Sequence, residues 1–254
     1  MFAHQGRRAA RNLATRRPRQ QAARLWQSLP LAVAALPQPT ASFTKLTLLH
    51  GWSTHTGAAS PAVEDISGIV HFKGAITTAS SNNNDVPFVL PPAFRPVKYV
   101  TVPVDMCGAT SGELNIAPTG VVQAISNGAN SNATCFTSLE GASFALSPTS
   151  FTPLALQNGW MNAPYGTANA ALRDISGVVH FMGAISTNGT NADPFILPAG
   201  FRPANETYIP VDLCDGNNGR LDILPDGVVT VEAENNDFTQ AQCFTSLDGA
   251  SFAR

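Results

Sequence analysis

The chain writes one pattern twice, and that restricts its folds more than any other feature. Asp65-Ile-Ser-Gly-Ile-Val-His-Phe-Lys-Gly-Ala-Ile76 returns as Asp174-Ile-Ser-Gly-Val-Val-His-Phe-Met-Gly-Ala-Ile185. Cys135-Phe-Thr-Ser-Leu-Glu-Gly-Ala-Ser-Phe-Ala145 returns as Cys243-Phe-Thr-Ser-Leu-Asp-Gly-Ala-Ser-Phe-Ala253. A unit of roughly 100 residues is too long for a solenoid repeat of about 20–50. It is long enough to bury a core of its own. The expected organisation is an N-terminal segment, 1–45, then repeat 1 over 46–147 and repeat 2 over 148–254. Each copy also tests the other: a residue the fold needs should stand in both.

Within a copy the hydrophobic period is 2, not 3.6. Leu154 to Trp160, matched by Leu46 to Trp52, reads as a first strand. Gly177 to Ile185 reads as a second, with Val179 and Phe181 on one face. Tyr208 to Cys214 is another. Gly219 to Leu224 leads through Pro225-Asp-Gly227 into Val228 to Glu232, a hairpin by its Asp-Gly turn. Neither copy contains an amphipathic helix pattern. Seven or eight short strands per copy, with turns every 8–12 residues, predict an all-β protein of two tandem homologous β-sandwich or jelly-roll domains.

Four cysteines sit at matched places, Cys107 with Cys135 and Cys214 with Cys243. Duplication favours pairing inside each copy, because an ancestral single unit had only its own two. Free buried thiols are the alternative. Zinc is disfavoured, since no Cys-x-x-Cys pair exists and no His follows the cysteines at ligand spacing. Disulfides would place the protein in an oxidising compartment.

Charge is unevenly spread. Residues 1–63 hold eight basic side chains and no acidic one, against seven basic and seventeen acidic residues in the remainder. That acidic body argues against nucleic-acid binding, which needs clustered Lys and Arg. Residues 1–45 run from an Arg-rich stretch (Arg7 to Arg24) through apolar Leu29 to Leu36 into Pro37-Gln-Pro-Thr-Ala-Ser42, the order of an export signal peptide. A disordered basic arm, an organellar presequence, or residues ahead of a misassigned start fit the same composition. No stretch is long enough to form a transmembrane helix, which takes about 20 apolar residues.

Comparing the copies sorts the candidate sites. Shared aromatics such as Phe72/Phe181 and Phe88/Phe195 are core candidates. Arg95/Arg202, held in Phe-Arg-Pro, reads as a structural loop anchor donating to carbonyls or to a carboxylate, with Asp105/Asp212 as the candidate partner. His71/His180, the only shared histidines, read as sheet-face or interface residues, and no Gly-x-Ser-x-Gly elbow accompanies them. No catalytic set and no metal site is assigned. The loop Asp212 to Gly219 suits calcium in its oxygen donors, but the matching Asp105 to Gly112 keeps one carboxylate and loses the rest. The copies differ most in loops, where binding on a β scaffold usually resides. Trp160 and Tyr165 form a candidate sugar-stacking pair there, with Asn188 and Asn191 as polar ligand contacts. Asn188 also lies in one of three N-glycosylation sequons, with those at Asn132 and Asn205.

Four motifs recur in order. In the second copy they are Gly177-Val-Val-His-Phe-Met-Gly-Ala-Ile185, Leu197-Pro-Ala-Gly-Phe-Arg-Pro-Ala204, Asp226-Gly-Val-Val-Thr-Val231 and Phe244-Thr-Ser-Leu-Asp-Gly-Ala-Ser-Phe252. The series resembles the C-terminal knob domains of phage tail fibres and related bacterial secreted proteins, and it covers nearly all of 46–254, once per copy. The resemblance implies a β-sandwich or jelly-roll head, often a homotrimer, that adheres to a cell-surface glycan or protein and has no shared catalytic residues. This chain departs by holding two such units in tandem without a fibrous shaft before them. Its first copy also has Leu90-Pro-Pro-Ala-Phe-Arg-Pro96 where the second has the Gly form.

The leading functional expectation is a secreted or surface-exposed, non-enzymatic adhesion or receptor-binding module for a glycan or protein, without a cofactor. A structural self-assembly module of a larger surface or tail-like particle is the alternative, and a hydrolase a third.

Overall fold

A computed structural model describes residues 42–254. The export-signal reading of the basic segment falls outside the described residues. The protein is all-β, and the two copies match strand for strand. Copy 1 runs β1 (Thr44–Lys45), β2 (Ser53–Thr54), β3 (Ala62–Ile66), β4 (Ile69–Lys73), β5 (Ala75–Thr77), β6 (Phe88–Val89), β7 (Val100–Met106), β8 (Thr110–Ile116), β9 (Val121–Ser126), α1 (Asn130–Cys135), β10 (Thr137–Ser138) and β11 (Ser143–Ala145). Copy 2 runs β12 (Thr152–Pro153), β13 (Trp160–Asn162), β14 (Ala171–Ile175), β15 (Val178–Met182), β16 (Ala184–Thr187), β17 (Phe195–Ile196), β18 (Thr207–Asp212), β19 (Asn218–Ile223), β20 (Val228–Ala233), α2 (Phe238–Cys243), β21 (Thr245–Ser246) and β22 (Ser251–Ala253).

Copy 1 stacks a four-stranded sheet, β1-β3-β4-β11, on a seven-stranded sheet, β2-β5-β10-β7-β8-β9-β6. Copy 2 repeats the four-stranded sheet as β12-β14-β15-β22. Its second layer is β13-β16-β21 and β17-β20-β19-β18, joined by the Leu213↔Thr245 bridge where copy 1 pairs Met106 with Thr137. The layering is therefore the same in both.

Local chemistry accounts for the turns. The β3–β4 and β14–β15 hairpins close on Ser67-Gly68 and Ser176-Gly177, with positive φ at both central residues, the backbone twist that two-residue hairpins need. Asp65 and Asp174 accept the Gly68 and Gly177 N–H at 2.7 and 2.9 Å. The segment read as one strand over Gly177–Ile185 is two. Gly183 (φ 88°) turns the chain from one sheet into the other, as Gly74 (φ 95°) does in copy 1. A Cβ on Gly74 would sit 2.6 Å from the Ala59 carbonyl, so the corner admits no side chain.

Two other expectations need correction. Leu46–Trp52 and Leu154–Trp160 are not continuous strands; they contribute single bridges at Leu48 and Leu156, between β1 and β2 in copy 1 and between β12 and β13, which begins at Trp160, in copy 2. Each copy also contains a six-residue helix, too short for hydrophobic periodicity to reveal. Asp237 caps α2 by accepting the Thr239 N–H, whereas α1 has no side-chain cap.

The shared aromatics build matching cores. Phe72 packs against Phe88 and Phe144 at 6.2 and 5.9 Å, and Phe181 against Phe195 and Phe252 at 6.3 and 6.0 Å. Burying each such ring is worth about 1.5–3 kcal/mol. The copies have separate main cores, joined by a smaller cluster in which Ile69 and Ala145 of copy 1 meet Ala168, Ala171 and Met182 of copy 2. Residues 42–254 belong to one compact unit.

Candidate ligand groove between the two copies

The cysteines pair within each copy, Cys107 with Cys135 and Cys214 with Cys243, both with Cα atoms 5.7 Å apart. Each bond ties the short helix to the turn after the long central strand. That turn in copy 2, Cys214 to Asn217, reaches across to copy 1. Asn127 donates its Nδ2–H to Asn217 Oδ1 at 3.1 Å, and Asn217 in turn donates to the Cys214 carbonyl at 2.6 Å.

Beside the apolar cluster that joins the copies, their contact holds buried polar groups. Ser246, fully buried, donates its hydroxyl to the Thr101 carbonyl at 2.6 Å. Asp248 accepts the Gly183 N–H at 2.9 Å and also has the Thr101 amide of copy 1 as a partner. Burial pushes its carboxyl up to about 7 against those two bonds. Glu113 of copy 1 and Asp212 of copy 2 share a hydrogen bond inside the contact. Burial, then the adjacent Glu113, drives Asp212 well above the ordinary carboxylate range. Burial raises Glu113 as well, so the two carboxyl groups hold a proton between them. His71 lies near enough across the interface to disfavour a charge on His180. Burial is the main cause that lowers both, and His71 adds to the lowering of His180. Their place is a packed sheet contact.

Beside this contact runs a groove of about 360 Å³. Tyr99, Glu113 and Asn115 line it from copy 1, and Tyr165, Asp215 and Phe244 from copy 2. A second depression of about 540 Å³ lies beyond Tyr165 and is lined by Asn188 and Gln242. Tyr165 forms the ridge between them. Its ring is 73 % exposed and packs 6.0 Å from Phe244.

Tyr165 also has an unusual backbone. Its φ is +54°, and Ala163 two residues before it has +58°. The matching turn of copy 1, closed by the Ala58 N–H on the His55 carbonyl as Thr167 closes on Pro164, has Thr56 at this place, outside the positive-φ region, and Gly57 (φ +85°) opposite Gly166 (φ +81°). A left-handed conformation costs a non-glycine residue roughly 1–2 kcal/mol. Copy 2 thus holds a bulky, solvent-exposed ring in a left-handed conformation that the matching turn of copy 1 does not use.

The other predicted site residues are dispersed. Trp160 is only 5 % exposed and donates its indole N–H to the Asn191 carbonyl at 2.9 Å, so it forms core and cannot stack a sugar beside Tyr165. Asn191 braces its own loop, accepting the Asp193 N–H at 2.8 Å. Asn188 is exposed and faces the Tyr165 ridge. Arg95 and Arg202 are loop anchors that donate Nε–H to the carbonyls of Leu90 and Leu197, both at 2.9 Å. Asp105 and Asp212 are not their partners: Asp105 is exposed and Asp212 meets Glu113. Among the described residues no group of three His, Cys, Asp or Glu side chains is placed to hold a metal ion.

Tyr99, Glu113 and Asn115 escaped the sequence reading because they lie on or beside strands. A signal was present: their counterparts in copy 2 are Glu206, Arg220 and Asp222, a change of character at three neighbouring positions. Comparison with known protein families, curated proteins and solved structures returns no match. Among the described residues no helix is long and apolar enough to cross a membrane.

Proposed function

We propose that the protein is a non-enzymatic recognition module of the cell exterior, and that the inter-copy groove takes a polyhydroxylated ligand such as a cell-surface glycan. The observation that carries this reading is Tyr165, an exposed ring kept in a left-handed backbone conformation that the matching turn of its sister copy does not adopt. Strain of that kind persists where function holds it. Saccharides are recognised by an aromatic face with amide and carboxylate groups beside it. Tyr165, Asn115 and Asp215 offer that combination, with Asn188 across the ridge.

The buried acids favour binding over hydrolysis. Glycoside hydrolases separate their two carboxyl groups by about 5–9.5 Å to admit a sugar carbon or water. Glu113 and Asp212 are instead hydrogen-bonded to each other, and Asp212 is 1 % exposed. The two disulfides support an oxidising, extracellular setting.

The test is a glycan array probed with the wild-type protein and with Tyr165→Gly. Selective binding that the substitution removes, with circular dichroism unchanged, supports the proposal. Absence of binding by folded wild-type protein, or binding indifferent to Tyr165, refutes it.

A further inference from the structure

The contact between the copies is heterologous: two different faces meet. Copy 1 offers a leading face, with Thr101, Glu113 and Asn127. Copy 2 offers a trailing face, with Asp212, Asn217, Ser246 and Asp248. A two-fold contact would also bring the equivalent residues together in reverse. The equivalents of Thr101 and Glu113 in copy 2 are Tyr208 and Arg220; those of Asp212, Ser246 and Asp248 in copy 1 are Asp105, Ser138 and Glu140. These do not meet within the chain. Arg220 pairs with Glu232 at 2.5 Å on its own sheet and lies 5.0 Å over the Tyr208 ring. Tyr208, Arg220, Asp105 and Glu140 are all exposed.

The chain thus keeps one open leading face, on copy 2, and one open trailing face, on copy 1. A heterologous contact of this kind repeats from unit to unit until a ring closes or a filament grows. We propose that a second copy of this chain docks head to tail, its copy 1 trailing face covering the Tyr208–Arg220 face of copy 2.

Three features fit that occupant. The contact continues one already made inside the chain, on the same β unit. At the place where Glu113 and Asp212 must share a proton, the open faces would bring Arg220 against Asp105, an opposite-charge pair. And the hydroxyl of Ser246, which reaches the Thr101 carbonyl, has an equivalent ready in Ser138. Ser138 already accepts the Glu140 N–H at 3.2 Å, as Ser246 accepts that of Asp248 at 3.2 Å. Its own proton lacks an acceptor among the described residues, and the Tyr208 carbonyl would supply one. The inference does not depend on what the groove binds.

Light scattering and sedimentation velocity of the full chain, across concentration and salt, test it. Association that salt weakens is expected. Arg220→Glu alone and Asp105→Arg alone should each weaken it roughly tenfold or more, and the two combined in one chain should restore it. Both positions are exposed, and circular dichroism checks that each variant is folded. A chain that stays monomeric at all concentrations overturns the proposal. So does association that neither single substitution changes, or that the combined variant fails to restore.

Discussion

Asp248→Asn should reverse part of the protein's pH dependence. Asp248 is completely enclosed because copy 1 lies over it, and burial raises its carboxyl from the ordinary 3.8 to about 7. The folded state therefore holds a proton that the unfolded chain releases. Stability from this group is fully present below about pH 4, declines as pH rises, and is gone above about pH 7. The difference is worth about 4 kcal/mol at most. Asn keeps an oxygen for the Gly183 N–H and carries no charge. The stability of the variant minus that of wild type should therefore grow by about 4 kcal/mol between pH 4 and pH 8. Subtraction cancels the opposite contribution of His71 and His180, whose lowered values make them destabilising when protonated in acid. Urea unfolding followed by tryptophan fluorescence, with disulfides intact, measures it. A difference between Asp248→Asn and wild type that stays flat to within about 0.5 kcal/mol across this range would show that copy 1 does not seal the site.

Other outcomes follow from single features. Replacing Cys214 and Cys243 by Ser should cost about 2–4 kcal/mol in urea unfolding, and replacing Cys107 and Cys135 should cost a similar amount. Gly227→Ala should destabilise by about 2 kcal/mol or more in thermal unfolding: φ is +92°, and a Cβ there would meet Arg202 Nε at 2.6 Å and the Leu197 carbonyl at 2.8 Å. Arg202→Met should cost about 1–3 kcal/mol, because it leaves the Leu197 carbonyl without its side-chain donor. Tyr165→Gly should leave stability unchanged or raise it by up to about 1 kcal/mol, since glycine takes the left-handed backbone at φ +54° without strain.

Much of the fold was legible because the copies repeat it. Alternation around Val179 and Phe181, the Asp226-Gly227 turn and the paired cysteines each appear twice, and each is a local signal. The strand break at Gly183 was not legible. Its flanks are apolar on both sides, and only the close approach of the neighbouring backbone shows that the chain turns there. The helices escaped because six residues span fewer than two turns. For the site, Tyr165 could be found as a loop residue unique to copy 2. Trp160 misled because an aromatic beside it in sequence is not beside it in space. Glu113 and Asp212 lay beyond reach, because their meeting depends on how the copies pack. Sequence identity between copies says nothing about which faces touch.

The most direct test of the groove as a binding site is residue-level mapping of a bound saccharide from the array by NMR titration. Shifts clustered at Tyr99, Asn115, Tyr165, Asp215 and Asn188 are the expected result. Shifts centred elsewhere, or the same affinity in Tyr165→Gly, would contradict it.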